Sequence, residues 1–121
     1  MAFYFGLSPN SMKQKSVEEL LGLINNGFEG EVKFTGTVSL YGDSMQRADY
    51  SGDLTLKNDE GIHGPRRYEI SSNDSKFKLP FAQSREAYLE HPSEGANVIK
   101  IPIYLPREYF VKIHNPRNIA Y

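Results

Sequence analysis

The stretch Glu31-Val32-Lys33-Phe34-Thr35-Gly36-Thr37-Val38-Ser39-Leu40-Tyr41 decides the fold class. Val32, Phe34, Val38 and Leu40 share one parity and Lys33, Thr35, Thr37 and Ser39 the other, which is the pattern of a half-buried β-strand. Gly36 falls on the apolar parity in mid-strand, where a missing side chain predicts a bulge, a bend or the close approach of another backbone. A strand apolar on one face only belongs in an antiparallel sheet.

Downstream, the polar residues 42–49 read as a loop leading to a second strand at 50–57, with Leu54 and Leu56 inward, so that the two strands make a long-looped hairpin. Residues 58–65 are rich in turn formers and read as an exposed connection. Residues 66–71 and 76–81 form a second predicted hairpin, and Pro80, which has no N–H for a ladder, places the latter strand at an edge or at its own end. Ile99, Ile101, Ile103 and Leu105 make the most regular alternation, in a strand at 97–105, and should form the central apolar face of the sheet; Pro102 on the opposite parity again suggests an edge or a bulge. A turn at 106–108, a short strand at 109–113 and an irregular tail at 114–121 complete the reading.

Upstream, Ser8-Pro9-Asn10-Ser11 reads as a turn and residues 17–26 as a helix. Ser16 and Glu19 stand at capping-box spacing, Val17, Leu20, Leu21 and Ile24 form an apolar stripe, and Asn26-Gly27 supplies a left-handed stop. Ser84 would cap a second short helix at 84–90, closed by His91-Pro92. The expectation is a single α+β domain over residues 1–121: an antiparallel, curved sheet of about five to seven strands with helices at 17–26 and 84–90. The stripe of the first helix should pack on the face of residues 99–105.

Of 121 residues, 39% are hydrophobic and 24% charged, a balance that supports one packed core. Cysteine is absent, which excludes disulfides, thiolate metal sites and cysteine nucleophiles and points to an intracellular setting. Residues 1–7 lack the basic leader of a signal peptide, and no apolar run reaches the ~18 residues of a membrane span. A net charge of -1 weighs against strong nonspecific nucleic-acid binding. The charge is uneven, with 9 acidic and 5 basic residues in 1–60 but 6 acidic and 9 basic in 61–121.

His63, His91 and His114 lack metal-ligand spacing, no nucleophile elbow of the G-x-S-x-G type occurs, and neither Gly27-Phe28-Glu29-Gly30 nor Gly61-Ile62-His63-Gly64 is a phosphate loop. No catalytic residue, metal site or cofactor is therefore expected. The remaining candidates are the arginines, tyrosines and lysine of the second half: Arg66, Arg67, Tyr68, Tyr104, Arg107, Tyr109, Lys112 and Arg117, with His114 and Tyr121 nearby in sequence. Tyrosine offers rigid contact area and arginine a planar fork for carboxylate or phosphate. These residues point to a small noncatalytic binding module of the inhibitor, adaptor or ligand-sequestering kind, recognising another protein or a small anionic ligand. The alternative is a small β-barrel that binds single-stranded nucleic acid through aromatic and basic side chains. A small enzyme using Asp, Glu and His is the least supported class, and proline-marked edge strands leave room for a homo-oligomer.

Overall fold

In the computed structural model of the chain, which describes residues 9–42, 45–58, 67–82, 86–90, 98–103 and 109–121, the alternating segment forms strand β1, Glu31–Gly42. One helix precedes it among the described residues, α1 (Pro9–Asn26), and six strands follow: β2 (Met45–Asn58), β3 (Arg67–Ser72), β4 (Lys78–Ala82), β5 (Tyr88–Glu90), β6 (Val98–Ile103) and β7 (Tyr109–Ala120). All seven strands lie in one curled antiparallel sheet in the order β4-β3-β2-β1-β7-β6-β5. Two meanders, β1 to β4 and β5 to β7, meet along the β1–β7 seam, and the architecture is α+β.

The alternation decides which side is buried. Val32, Phe34 and Val38 of β1, Leu54 and Leu56 of β2, Ile70 of β3, Ile99 and Ile101 of β6, and Val111 and Ile113 of β7 point to one face and are buried. The helix stripe Val17, Leu20 and Ile24 is buried in the same cluster, with Leu21 half-buried at its margin. This is the helix-on-strand packing that the apolar periodicities require. Two polar ties fix the helix end: the Tyr68 hydroxyl donates to the Ile24 carbonyl at 2.9 Å, and the Asn25 side chain both donates to the Ala87 carbonyl and accepts from the Ala87 N–H, each at 2.9 Å. The second tie holds the chain just before β5.

Gly36 occupies the seam. It pairs with Gly52 on one side, and a Cβ built on it would stand 3.1 Å from the His114 carbonyl oxygen and 3.4 Å from Pro116 Cα on the other. The register between β1 and β7 shifts on both sides of Thr35, where Asn115 and Asn118 take left-handed conformations (φ 49° and 55°). Of the readings that the sequence left open for Gly36, close approach of another backbone is the one realised.

Several boundaries differ from expectation. The helix begins at Pro9 and absorbs the predicted turn at residues 8–11 as far as it is described: proline is tolerated in a first turn, and Met12-Lys13-Gln14-Lys15 are strong helix formers, so Ser16 and Glu19 lie inside the helix. Residues 45–49, expected in a loop, extend β2, because β1 and β2 remain paired to Gly42↔Met45. Of the helix expected at 84–90, residues 84 and 85 lie outside the described residues, and among the described ones Tyr88–Glu90 is a strand paired with β6, its one inward residue Leu89 opposite Ile99. Three residues satisfy either periodicity, and pairing decides between them. The supposed tail from 114 continues β7 to Ala120, its two bulges making room for Pro116. Strand β6 lies next to the edge strand β5, with Ile99, Ile101 and Ile103 buried in the same cluster as Val17, Leu20 and Ile24, and Leu105 lies outside the described residues. Pro80 is in an edge strand as expected, and Pro102 lies beyond the residues of β6 that pair with β5.

Candidate functional site

The sheet face turned away from α1 is read from the register. Across β5, β6, β7, β1 and β2, one row runs Glu90, Val98, His114, Thr37, Ser51, and the next runs Tyr88, Lys100, Lys112, Ser39, Asp49. A third row places Pro102 beside Phe110, Tyr41 and Gln46. Strand alternation therefore sets two lysines directly opposite one another on β6 and β7, an arrangement that destabilises a sheet unless an anion lies close.

One carboxylate does. Glu90 Oε2 is 2.7 Å from Lys112 Nζ, and Glu90 Oε1 is 3.7 Å from Lys100 Nζ. The hydrogen bond from Lys112 holds the Glu90 carboxyl below the usual carboxylate range, with burial opposing it. The lysine side chains are 22% and 21% exposed, so their stems lie along the sheet and only the heads are presented. Beneath the heads are aromatic rings. Tyr41 and Phe110 stack at 5.4 Å between centroids with 10° between planes, Lys100 Nζ is 4.1 Å from the Phe110 centroid, and Lys112 Nζ is 5.1 Å from that of Tyr41. Tyr88, 45% exposed, has its ring 6.0 Å from Lys100 Nζ. Burial keeps the imidazole of His114 below its ordinary pKa, Lys112 adds to this and Glu90 opposes it. The patch thus holds two ammoniums against one carboxylate, over aromatic ring faces that favour cations.

The rest of this face differs. On β1, β2 and the turn after β3, polar side chains satisfy one another: Thr35 Oγ1 donates to Asp53 at 2.9 Å, the Thr37 and Ser51 hydroxyls lie 2.7 Å apart, and Thr55 Oγ1 donates to Asn73 at 2.9 Å. Cationic and hydroxyl-bearing halves therefore meet at the β1–β7 seam.

Of the residues singled out from sequence, Lys112 lies in the cationic patch. Tyr68 is 1% exposed and belongs to the core, stacked on Phe28 and tied to Ile24, so it presents nothing to a partner. Tyr109 is on the helix side, its ring against Gly42. Arg117 is exposed in the bulged part of β7, paired in register with Thr35, and donates to the Asn115 carbonyl at 3.4 Å. Arg67 begins β3, three strands and ~14 Å from β7 and at the end of the sheet away from Lys112, so Arg67, Lys112 and Arg117 do not converge. Arg66, Tyr104 and Arg107 lie outside the described residues.

Sequence reasoning missed Glu90, Lys100, Tyr41 and Phe110 as partners of Lys112, and Tyr88 beside Lys100. A signal was present: Lys100 and Lys112 each interrupt an apolar run on outward parity, in Ile99-Lys100-Ile101 and Val111-Lys112-Ile113. Among the described residues no group of His, Asp and Glu is placed to hold a metal ion, and no helix is long and apolar enough to cross a membrane. No protein-family model, curated protein or solved structure matches the chain.

Proposed function

We propose that the chain is a small noncatalytic binding module that recognises an anionic group, on a protein or a small ligand, through the Lys100–Lys112 face. The observation that carries this reading is the opposed lysine pair, half-buried, sharing one carboxylate and resting on aromatic rings. Like charges directly opposite on a sheet weaken it, and a site where local stability is set aside is where function is expected. Preordered ammoniums with buried stems also lose little freedom on binding.

Single-stranded nucleic acid draws less support. A base-stacking platform needs several open rings, whereas Tyr41 and Phe110 stack on each other under the ammoniums and only Tyr88 of the three is exposed. Strand addition by a second copy is also disfavoured, because one edge carries Pro80 and the other is three residues long.

The test is an amide NMR titration with inorganic phosphate and with an oligo-glutamate peptide. Shifts should concentrate on residues 88–90, 98–101 and 110–114, weaken with added salt, and vanish in Lys112→Gln. Shifts centred on Arg67 or Arg117, or spread evenly over the surface, would refute the assignment.

A further inference from the structure

Glu90 sits oddly for an ordinary surface ion pair. It belongs to a three-residue edge strand, yet its carboxylate reaches across β6 to Lys112 on β7, although the backbones of β5 and β7 are separated by two strand spacings, ~10 Å. Val98, the residue it passes over, is only 2% exposed. The two carboxylate oxygens point to different ammoniums, at 2.7 and 3.7 Å, as an oxyanion bound between two lysines would. The helix end holds the approach to this strand through the paired Asn25–Ala87 hydrogen bonds, so Glu90 is delivered to the site rather than drifting near it.

Resting on the reading of this face as an anion site, we infer that Glu90 occupies the ligand's place. Its carboxylate stands in for the acidic group of an aromatic oxyanion, a carboxylate or phosphate ester carried on a ring, which displaces it from Lys100 and Lys112. The ring would lie against Tyr88, the exposed aromatic next to Lys100 in the same row. Glu90 neutralises one of the two ammonium charges, so an incoming group with nearly two negative charges, such as a phosphate monoester, would balance the pair more completely. The lowered pKa of Glu90, caused first by the hydrogen bond from Lys112, agrees with a carboxylate that stays charged in that position. With the ligand bound, Glu90 is free to swing outward to solvent at the sheet edge.

Phenyl phosphate and benzoate serve as probes, titrated by NMR into wild type, Glu90→Gln, Glu90→Ala and Glu90→Gln/Lys112→Gln. Removing the internal competitor should tighten binding of at least one probe about fivefold, the factor represented by ~1 kcal/mol of released ion pairing, with shifts at residues 88, 100, 110 and 112. Adding Lys112→Gln should abolish that gain. The probe bound more tightly by Glu90→Gln assigns the oxyanion as phosphoryl or carboxylate. Binding unchanged or weakened in both Glu90 variants overturns the stand-in while the anion face survives; no binding of either probe to any of the proteins overturns both. Loss of the fold in Glu90→Gln also overturns the inference, since the carboxylate would then be a structural group.

Discussion

Replacing Gly36 with alanine should destabilise the protein by ~1–2 kcal/mol. The added methyl would stand 3.1 Å from the His114 carbonyl oxygen, 3.4 Å from Pro116 Cα and 3.6 Å from the Asn115 carbonyl oxygen. All three obstacles are backbone of β7 between its pairs His114↔Thr37 and Arg117↔Thr35, so none can rotate away as a side-chain tip would. Overpacking of this kind costs ~1–3 kcal/mol, against which the stiffer unfolded chain of an alanine variant returns ~0.4–1 kcal/mol. At about 4 °C per kcal/mol for a domain of this size, the midpoint of thermal unfolding should fall by roughly 4–8 °C. Urea unfolding followed by circular dichroism gives the free energy directly. Gly22→Ala is the control: its Cβ would meet only Asn26 Nδ2, at 4.0 Å, within α1, and should stabilise by ~0.5–1 kcal/mol. A Gly36→Ala protein as stable as wild type, with an unchanged denaturant slope, would show that the seam has slack and that the close approach does not constrain residue 36.

Tyr68→Phe removes the buried hydrogen bond to the Ile24 carbonyl and should cost ~1–2 kcal/mol in urea unfolding; no loss would mean that the helix end is held elsewhere. Ile101→Ala, at a fully buried position of β6, should cost ~2–5 kcal/mol, and an unchanged midpoint would remove this strand from the core. The pH response follows from two groups with the same sign. The imidazole of His114 is held below its ordinary value by burial, so the unfolded chain takes up its proton first and stability declines as pH falls below about 6.5. Glu90, held low by Lys112, contributes stability that is present above its ordinary value and lost as pH falls through its folded value. His114→Gln should therefore show a smaller drop in urea midpoint than wild type between about pH 7.5 and 5.5, and an equal drop in both would exclude His114 as the group responsible.

The class of fold was legible because β1, β3 and β6 alternate cleanly, and their buried faces in the structure are those that the parity of Val32, Ile70 and Ile99 assigns. What escaped was non-local. Tyr88–Glu90 is a strand because Leu89 meets Ile99, and residues after His114 remain in β7 because β1 is there to pair with them; neither partner is visible within a local window. The same limit hid the site. Tyr68 looked available because an aromatic beside arginine on a loop edge suggests recognition, but parity with Ile70 and Ser72 points it inward. Glu90, Lys100 and Lys112 become neighbours only once the order β5-β6-β7 is known.

The meeting of the two meanders along a single seam also sets how the chain can fold. Each meander pairs strands close in sequence, whereas joining Gly42 to Tyr109 closes a loop of roughly 65 residues, an entropic penalty of ~4 kcal/mol before any seam contact forms. The largest closure cost in this topology therefore falls on the docking of the two halves along β1 and β7. Until then β1, the middle of the finished sheet, is an unprotected edge, and its apolar face is the segment most open to the wrong partner. Substitutions along the seam should slow folding, while those in β4 or β5 should mainly hasten unfolding, so the folding kinetics would distinguish the join from the parts it joins.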